Sequence, residues 1–365
     1  MSVKKNVLLV INSDLVNAGV PNVVMVIVRN LSKYFNFDIV VYHNQDGQYD
    51  DEFKSYGGKI FRLSLLDYKR HKILYPLRYV QIGNFIKKIL KQKKYDIIHC
   101  HNGIESGIFL KYAHLFEIPT RIAHAHGTYL RKGNNKILLW YRLQCKKLIQ
   151  KNLTVAVACS TQAGKSLFDT VDFINILNPV SISSYLDLEK KQHTGCNLLQ
   201  IGYFCANKNQ IFSIKLLKKL LEKKMDVKLS FVGFPQDEVY YAEMLRLIDE
   251  LSLNENVKFL PSNIDKSQVF SDIDIVLVPS FTEGLPLVAL EAQAAHIMTL
   301  MSDHVTLDAN IGLGFYAKYN DFHEWENAIN EMYCEKSNYS QVNIDTDLIE
   351  TNSWCNRIGA IYYGE

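Results

Sequence analysis

The chain has 365 residues, of which 48% are hydrophobic and 22% are charged. This length exceeds one ordinary hydrophobic core, so about two domains are expected, and the composition excludes a disordered or fibrous chain. No apolar run approaches the ~18 residues of a membrane span. The start, MSVKKNVLLVINSD, has an apolar core of about six residues, which predicts a buried strand rather than a secretory signal. Seven cysteines without metal-type pair spacing suit a reducing cytoplasm.

The formal net charge of +3 hides an asymmetry between the two halves. Residues 1–180 hold 26 Lys and Arg against 12 Asp and Glu, whereas residues 181–365 hold 15 against 26. Nucleic acid is disfavoured as a partner of the basic half, since zinc-ligand spacing, an RNP-like strand and an Arg-rich arm are all missing. The segments KKILKQKK (87–94) and LQCKKLIQK (143–151) mix basic residues with Leu and Ile at helical spacing. They favour an anionic membrane surface, with solvated helix faces as the alternative.

Short β-branched runs alternate with longer helical stretches along the chain. The predicted strands are 7–12, 38–43, 59–64, 96–101, 120–126, 154–160 and 173–178, followed by 197–204, 227–233, 257–261, 274–279, 297–303 and 313–318. The predicted helices are 21–34, 75–93, 103–115, 136–151, 209–224, 238–252, 286–295 and 322–334. Such continuous apolar runs are typical of parallel strands buried on both faces. The repetition predicts an α/β protein of two Rossmann-like, doubly wound domains.

The domain boundary should fall in the polar segment 178–195, where the charge changes sign. We therefore expect an N-terminal domain at 1–180 and a C-terminal domain at 181–350. The last segment, 351–365, predicts a helix with an aromatic face that is a candidate to pack back on the first domain. Ligands of open α/β sheets bind beyond the carboxyl ends of the strands, so the expected active site is a cleft between the two sheets.

Residues 280–296, SFTEGLPLVALEAQAAH, carry two glutamates in a largely apolar stretch. Glu283 follows a predicted strand, and Glu291 lies in the helix that comes next. The start of that helix presents backbone N–H groups and a positive dipole end, which together form an anion site. A sugar diphosphate fits this arrangement, with Glu283 on sugar hydroxyls, Glu291 on ribose hydroxyls, and basic residues nearby. Alternatively, Glu283 caps the helix and Glu291 faces solvent.

The stretch PSFTEGLPLVALEAQAA resembles the Glu-x7-Glu motif of retaining GT-B glycosyltransferases, in the large family that builds bacterial capsular and exopolysaccharides. Six further segments resemble that family in the same order, from about residue 5 to 335. They are DIIHCHN, RIAHAHGT, VAVACSTQAGKSLF, GYFCANKNQ, FVGFP and VKFLP. The resemblance implies the GT-B fold, a nucleotide sugar as donor substrate and no cofactor.

The resemblance also implies residue roles. Glu283 contacts the donor sugar, Glu291 the ribose and Lys208 the diphosphate, while His126 lies near the transferred sugar and Gly19 allows close backbone approach to a substrate. His126, Lys208 and Glu283 are the expected catalytic residues. The expected donor-binding residues are Gly19, Gly202, Tyr203, Lys208, Glu283, Gly284, Leu285, Pro286, Leu287 and Glu291.

Two departures from the family pattern stand out. Tyr203 occupies the place of an arginine that binds the diphosphate, so Lys208 and the helix start must hold the charge. His296 occupies the place of a glycine at the end of the motif helix. Asp272 and Asp274 have the D-x-D spacing of metal-dependent enzymes, but they precede a buried strand, where a solvated acidic turn is expected. We therefore expect no metal ion.

The combined interpretation is a bacterial, cytoplasmic, retaining glycosyltransferase, peripheral on the inner face of the membrane. Its expected donor is a UDP-sugar and its expected acceptor a saccharide on a polyprenyl diphosphate, in a surface-polysaccharide pathway. Two alternatives stay open. One is an isomerase resembling UDP-N-acetylglucosamine 2-epimerase, which shares the two-domain fold. The other is a non-catalytic binding partner in a polysaccharide assembly complex, which Tyr203 makes conceivable.

Overall fold

The computed structural model describes residues 4–42, 45–65, 75–127, 135–185, 188–339 and 342–365. The chain divides into two compact units, one formed by residues 1–179 with 351–365 and the other by residues 180–350. In each unit the described strands form one parallel sheet.

Seven described strands build the sheet of the first unit in the order β3-β2-β1-β4-β5-β6-β7. They are β1 (Lys5–Val10), β2 (Phe35–Tyr42), β3 (Ile60–Leu63), β4 (Ile97–Cys100), β5 (Thr120–Ala125), β6 (Val155–Ala158) and β7 (Ile174–Asn175). The strand order reverses between β1 and β4, which is the switch point where such sheets bind ligands. Strand β2 begins earlier than predicted because Phe35 and Phe37 are buried in the core. Its predicted end at residue 43 lies outside the described residues.

The helices of the first unit follow the predicted alternation. They are α1 (Gly19–Leu31), α2 (Asp50–Ser55), α3 (Tyr75–Gln92), α4 (Ser106–Leu115), α5 (Lys136–Asn152) and α6 (Thr161–Phe168). The short, polar α2 has no apolar periodicity, which is why the sequence pattern did not predict it. The predicted helix at 103–115 is divided into a 3-10 turn at Gly103–Glu105 and α4.

The second unit repeats the design. Its sheet order is β10-β9-β8-β11-β12-β13, with strands β8 (Cys196–Ile201), β9 (Val227–Val232), β10 (Val257–Leu260), β11 (Ile275–Val278), β12 (Met298–Ser302) and β13 (Gly314–Ala317). Its helices are α7 (Gln210–Glu222), α8 (Glu238–Glu250), α9 (Lys266–Phe270), α10 (Leu287–Ala294), α11 (Phe322–Cys334) and α12 (Lys336–Tyr339). The order reverses between β8 and β11, so these two strands bracket the switch point of this sheet. Two doubly wound α/β units confirm the predicted fold class.

The last helix, α13 (Thr351–Tyr363), returns to the first unit and packs on α1. Trp354 and Tyr362 are fully buried there. The Tyr362 ring meets Phe35 edge-on with centroids 5.2 Å apart, and its hydroxyl lies 2.8 Å from His99 Nδ1. The C-terminal segment therefore completes the core of the unit that the N-terminal residues begin.

None of the helices within the described ranges combines the length and the hydropathy that crossing a membrane requires.

Candidate active site

The candidate donor site lies at the carboxyl ends of β8 and β11, the adjacent strands at the switch point of the second sheet. Two loops leave this edge, residues 202–209 after β8 and residues 279–286 after β11. Ligands of open α/β sheets bind at this location because neighbouring chain connections diverge there. The residues predicted to hold a nucleotide sugar in this unit belong to these loops or to α10.

Lys208 is fixed by the local backbone. Gly202 has a φ of +152°, a conformation that favours glycine. A Cβ atom on Gly202 would lie 3.4 Å from Lys208 Cε, so the lysine side chain passes over the glycine. The buried Gln200 side chain donates to the Lys208 carbonyl at 2.7 Å. Strand β8 thus ends earlier than predicted because the chain turns at Gly202. The turn places the Lys208 side chain against Gly202.

Hydrogen bonds tie the two loops together. The Phe281 amide donates to the Asn207 carbonyl at 2.8 Å, and the Asn207 side chain donates to the Thr282 carbonyl at 3.0 Å. Beside them, Lys208 Nζ lies 2.5 Å from Glu283 Oε1. The two side chains are only 23% and 13% exposed. The lysine offsets the cost of withdrawing the Glu283 carboxylate from water.

Glu283 does not cap the helix that follows it. The N-cap of α10 is Pro286, no side chain caps it, and its first turn contains no acidic residue. Gly284, Leu285 and Pro286 lead from Glu283 to the first helical residue, Leu287. The positive end of the α10 dipole therefore has no acidic residue of its own helix to neutralise it. This geometry argues against the alternative interpretation of Glu283 as a helix cap.

Glu291 is held by a lysine that the sequence pattern did not single out. Lys266 Nζ lies 2.7 Å from Glu291 Oε1 and 2.6 Å from Oε2. The Glu291 side chain is 15% exposed, so it does not face solvent. Burial raises the pKa of Glu291, and the charge of Lys266 opposes that rise. The sequence predicted that the two carboxylates would need basic residues nearby. It could not identify Lys266, which is 25 residues from Glu291 and meets it only in the tertiary structure.

Tyr203 stands where the family pattern has an arginine, and it makes an aromatic contact instead of supplying a positive charge. Its ring meets Phe234 edge-on, with centroids 4.8 Å apart. Gln210 donates to the Tyr203 carbonyl at 2.8 Å and fixes the backbone. The resulting aromatic pair stands at the carboxyl ends of β8 and β9, beside the loop that carries Lys208.

His296 stands where the family pattern has a glycine, and its backbone is in the left-handed conformation that glycine adopts easily. It follows the C-cap of α10 with a φ of +53°. A left-handed residue at this position ends many helices, and glycine adopts it without strain. The substitution changes a helix end, away from the Lys208 pair.

In the first unit, His126 belongs to a cluster of four histidines at the ends of β4 and β5. His101 Nδ1 lies 2.8 Å from His126 Nε2, and His99 Nε2 lies 3.3 Å from His124 Nδ1. Burial lowers the pKa of all four, that of His126 to about 4. His126 is therefore neutral near pH 7, suited to hydrogen bonding rather than to charge pairing.

Among the described residues, one group of potential metal ligands is compact enough to hold a metal ion, and it belongs to this histidine cluster. One ring nitrogen from each of His99, His101 and His124 lies within 4.8 Å of the others. Each ring makes a hydrogen bond within the cluster, and His99 also bonds to the Tyr362 hydroxyl. Among the described residues, Nε2 of His101 and Nε2 of His124 are buried without a hydrogen-bond partner. The network therefore orients His126 but leaves these two ring nitrogens unpaired.

Gly19 is the first residue of α1 in this unit, directly after the loop that follows β1. A Cβ atom there would have no neighbour within 4 Å, so the backbone is open to close approach.

Asp272 and Asp274 lie at the other edge of the second sheet, where β11 begins. The Asn197 amide donates to Asp274 Oδ2 at 2.8 Å, and Lys336 Nζ lies 3.6 Å from its other oxygen. Asp274 thus holds the amino ends of β8 and β11 together. Cavities of about 580 and 730 Å³ open at this edge. Neither Lys208 nor Glu283 lines these cavities.

The chain matches two family models, "Glycosyltransferase Family 4" over residues 18–173 and "Glycosyl transferases group 1" over residues 189–341. It is 25% identical over 353 residues to the capsular polysaccharide biosynthesis glycosyltransferase CapH of Staphylococcus aureus, with 91% of each chain covered. It is 23% identical over 268 residues to the UDP-Gal:alpha-D-GlcNAc-diphosphoundecaprenol alpha-1,3-galactosyltransferase of Escherichia coli, covering 68% of this chain and 69% of that enzyme.

Among solved structures, HepE of Anabaena in complex with UDP superposes with a TM-score of 0.78 at 14% identity, covering 99% of this chain and 100% of HepE. That likeness shows the fold. With one family model on each α/β unit and the GT-B fold over the whole chain, this protein is a glycosyltransferase that consists of a Glycosyltransferase Family 4 domain followed by a Glycosyl transferases group 1 domain.

Proposed function

We propose that this protein is a retaining, metal-independent glycosyltransferase of bacterial surface-polysaccharide assembly. It transfers a hexosyl or N-acetylhexosaminyl group from a UDP-sugar to a saccharide carried on a polyprenyl diphosphate, at the inner face of the cytoplasmic membrane. The relatives support this choice, since CapH is named for capsular polysaccharide biosynthesis and the Escherichia coli enzyme for a UDP-Gal donor and a diphosphoundecaprenol-linked acceptor.

The observation that carries the proposal is the Lys208–Glu283 pair beside the start of α10. In the proposed complex, the donor diphosphate lies on Lys208 and on the first amides of α10, near Leu287. Glu283 then accepts hydrogen bonds from the hydroxyls of the donor sugar. A diphosphate in this position forms charge-assisted hydrogen bonds, which are stronger than neutral ones.

Glu291 is proposed to accept the ribose hydroxyls. Its carboxylate is oriented by two contacts from Lys266, and it faces the same side of α10 as Leu287, one turn earlier. Lys266 therefore positions Glu291 and favours its ionised form, while Glu291 itself touches the donor.

The proposed chemistry is a front-face transfer. The bond from the anomeric carbon to the β-phosphate oxygen breaks, and a bond to the acceptor hydroxyl oxygen forms on the same face of the sugar. The acceptor proton passes to the departing diphosphate, so the products are the glycoside and UDP. Lys208 and the α10 dipole stabilise the charge that grows on the diphosphate. The ion-paired Glu283 supports the sugar rather than attacking it, and neutral His126 hydrogen-bonds near the reacting centre.

Substitution of Glu283 by glutamine tests the assignment. Glu283→Gln keeps the size of the side chain but removes its charge, so transfer should fall by about 10²–10³-fold, the range for losing one preorganised electrostatic contact. The readout is transfer from the UDP-sugar selected by a thermal-shift screen of UDP-, GDP- and TDP-sugars, with the anomeric configuration of the product read by NMR.

Glu250→Gln is the matched control, because Glu250 forms an exposed ion pair with Arg246 in the same unit. EDTA should leave transfer unchanged. Wild-type transfer by Glu283→Gln would remove the assignment, and an inverted product or a requirement for added metal would remove the mechanism. An epimer formed from UDP-N-acetylglucosamine without acceptor would instead indicate an isomerase.

The Lys266–Glu291 contact predicts a pH effect on donor binding. The hydroxyl-accepting form of Glu291 is the carboxylate, so binding weakens as pH falls through the pKa of Glu291. Lys266→Ala removes the contact that opposes the burial-raised pKa, so the acid limb of the binding curve should move to higher pH. Binding of a UDP-sugar, whose diphosphate does not titrate in this range, is measured by calorimetry between pH 5 and 8. Lys266→Arg should lose binding at the same pH as the wild-type protein. If the wild type, Lys266→Ala and Lys266→Arg all lose binding at the same pH, Lys266 does not position Glu291.

Tyr203 predicts a gain of affinity on substitution. Tyr203→Arg should tighten UDP binding by about 10- to 150-fold, which corresponds to one added hydrogen bond between charged groups. Tyr203→Gln is the matched control, because it removes the ring contact with Phe234 without adding charge. Equal UDP dissociation constants for the arginine and glutamine variants would show that the diphosphate does not reach this position.

A further inference from the structure

The exposed side of α3 and α5, in the first unit, combines positive charge with apolar side chains. Neither helix contains an aspartate or a glutamate. Together they carry nine basic residues, Arg78, Lys87, Lys88, Lys91, Lys136, Arg142, Lys146, Lys147 and Lys151. Helices of globular proteins ordinarily mix both signs of charge on their solvent faces, so this pair of helices is suited to an anionic partner.

Large apolar side chains occupy the N-terminal halves of the same faces. Leu77 and Val80 on α3, with Leu139, Trp140 and Leu143 on α5, are each 47–53% exposed. Single exposed apolar residues are common, but five on two neighbouring helices mark an interaction surface.

Charge and apolar surface are arranged in order along each helix. On α3 the exposed positions 77, 80, 84, 88 and 91 follow the spacing of one helical face, apolar first and basic last. On α5 the exposed Leu143 is followed one turn later by the exposed Lys147. Each helix thus presents an apolar end and a basic end on the same side.

The two helices contact one another and form one surface. A groove of about 380 Å³ runs between them, lined by Tyr79 from α3 and by Trp140, Leu148, Lys147 and Lys151 from α5. Helices of a parallel sheet start from the carboxyl ends of its strands, so the apolar ends lie toward that edge. Gly19 and His126 follow strand ends at the same edge of this sheet.

Internal ion pairs remove some lysines from this surface. Lys146 is buried and bonded to Asp169, and Lys93 lies 2.8 Å from the buried Asp38. The segments 87–94 and 143–151, which the sequence suggested as anionic-surface contacts, therefore contribute five exposed cations, Lys88, Lys91, Lys94, Lys147 and Lys151.

We propose that this face of α3 and α5 docks on an anionic lipid bilayer. Trp140 and its apolar neighbours enter the boundary between headgroups and acyl chains, and the exposed lysines contact headgroup phosphates. A nucleic acid would leave the five apolar side chains in water, and a second copy of this face would oppose cation to cation. The inference rests on the proposed function, in which the acceptor is anchored in a membrane, and it brings the carboxyl edge of the first sheet to that membrane.

The test is flotation of the full chain with vesicles of neutral phosphatidylcholine or of phosphatidylcholine with phosphatidylglycerol, at low and high salt. Binding should require the anionic lipid and fade as salt shortens the Debye length from about 10 Å at 0.1 M. Each lysine contributes about fivefold to partitioning, so Lys147→Gln with Lys151→Gln should weaken it roughly 25-fold. Lys224→Gln with Lys228→Gln, two exposed lysines of the second unit, is the matched control.

Intrinsic fluorescence adds a readout of orientation. The chain has three tryptophans, and Trp325 and Trp354 are fully buried whereas Trp140 is 53% exposed. A blue shift on adding anionic vesicles therefore reports Trp140, and Trp140→Ser should abolish it. Leu307→Ser, at a 76% exposed site of the second unit, should leave the shift intact.

Equal recovery on both vesicle types, recovery on neither, or wild-type flotation by the lysine variant would overturn the docking surface. UDP-sugar binding measured without vesicles separates this failure from failure of the proposed function. Flotation without UDP-sugar binding would leave the docking surface standing and remove the enzyme assignment.

Discussion

The ion pair between Lys208 and Glu283 is the interaction on which the proposed donor site of the second unit depends. It joins the loops after β8 and β11 at the one point where the strand order reverses, and hydrogen bonds through Asn207 hold those loops in register around it. A carboxylate this far from water would be unstable alone, and a lysine this close to the turn at Gly202 needs a defined anionic partner. In the proposed complex with a nucleotide sugar, the lysine serves two anions, which couples the sugar contact to the diphosphate contact.

Part of this arrangement was predictable from the sequence. Continuous apolar runs located the strands because they are local patterns, and the family resemblance pointed to Lys208 and Glu283, whose loops the structure brings together. The partners Lys266 and His101 were not predictable as partners, because each contact joins residues 25 positions apart that meet only after the sheets form. The short helices α2 and α9 lack enough turns to show an apolar period, and Gly202 ended β8 by backbone conformation rather than by a change in hydrophobicity.

The two units differ in how they use ionisable groups. Both units pair carboxylates with cations, but the second places its Lys208–Glu283 pair at the carboxyl edge of its sheet, where an anionic ligand would compete for the lysine. The first buries four histidines, which burial keeps neutral, and confines much of its positive charge to helices at the surface. This division gives the charge asymmetry of the sequence a physical meaning: the acidic half contains the proposed donor site, and the basic half presents the surface proposed to meet lipid. At the proposed donor site, Tyr203 contacts Phe234 where the family pattern has an arginine.

The most direct measurement is an experimental structure of the protein with UDP bound. We expect diphosphate oxygens within hydrogen-bond distance of Lys208 Nζ and of the first amides of α10, with ribose hydroxyls on the Glu291 carboxylate and the base beyond them. UDP bound instead in a cavity at the amino ends of β8 and β11, near Asp274, or bound at the carboxyl edge without contact to Lys208, would contradict this expectation.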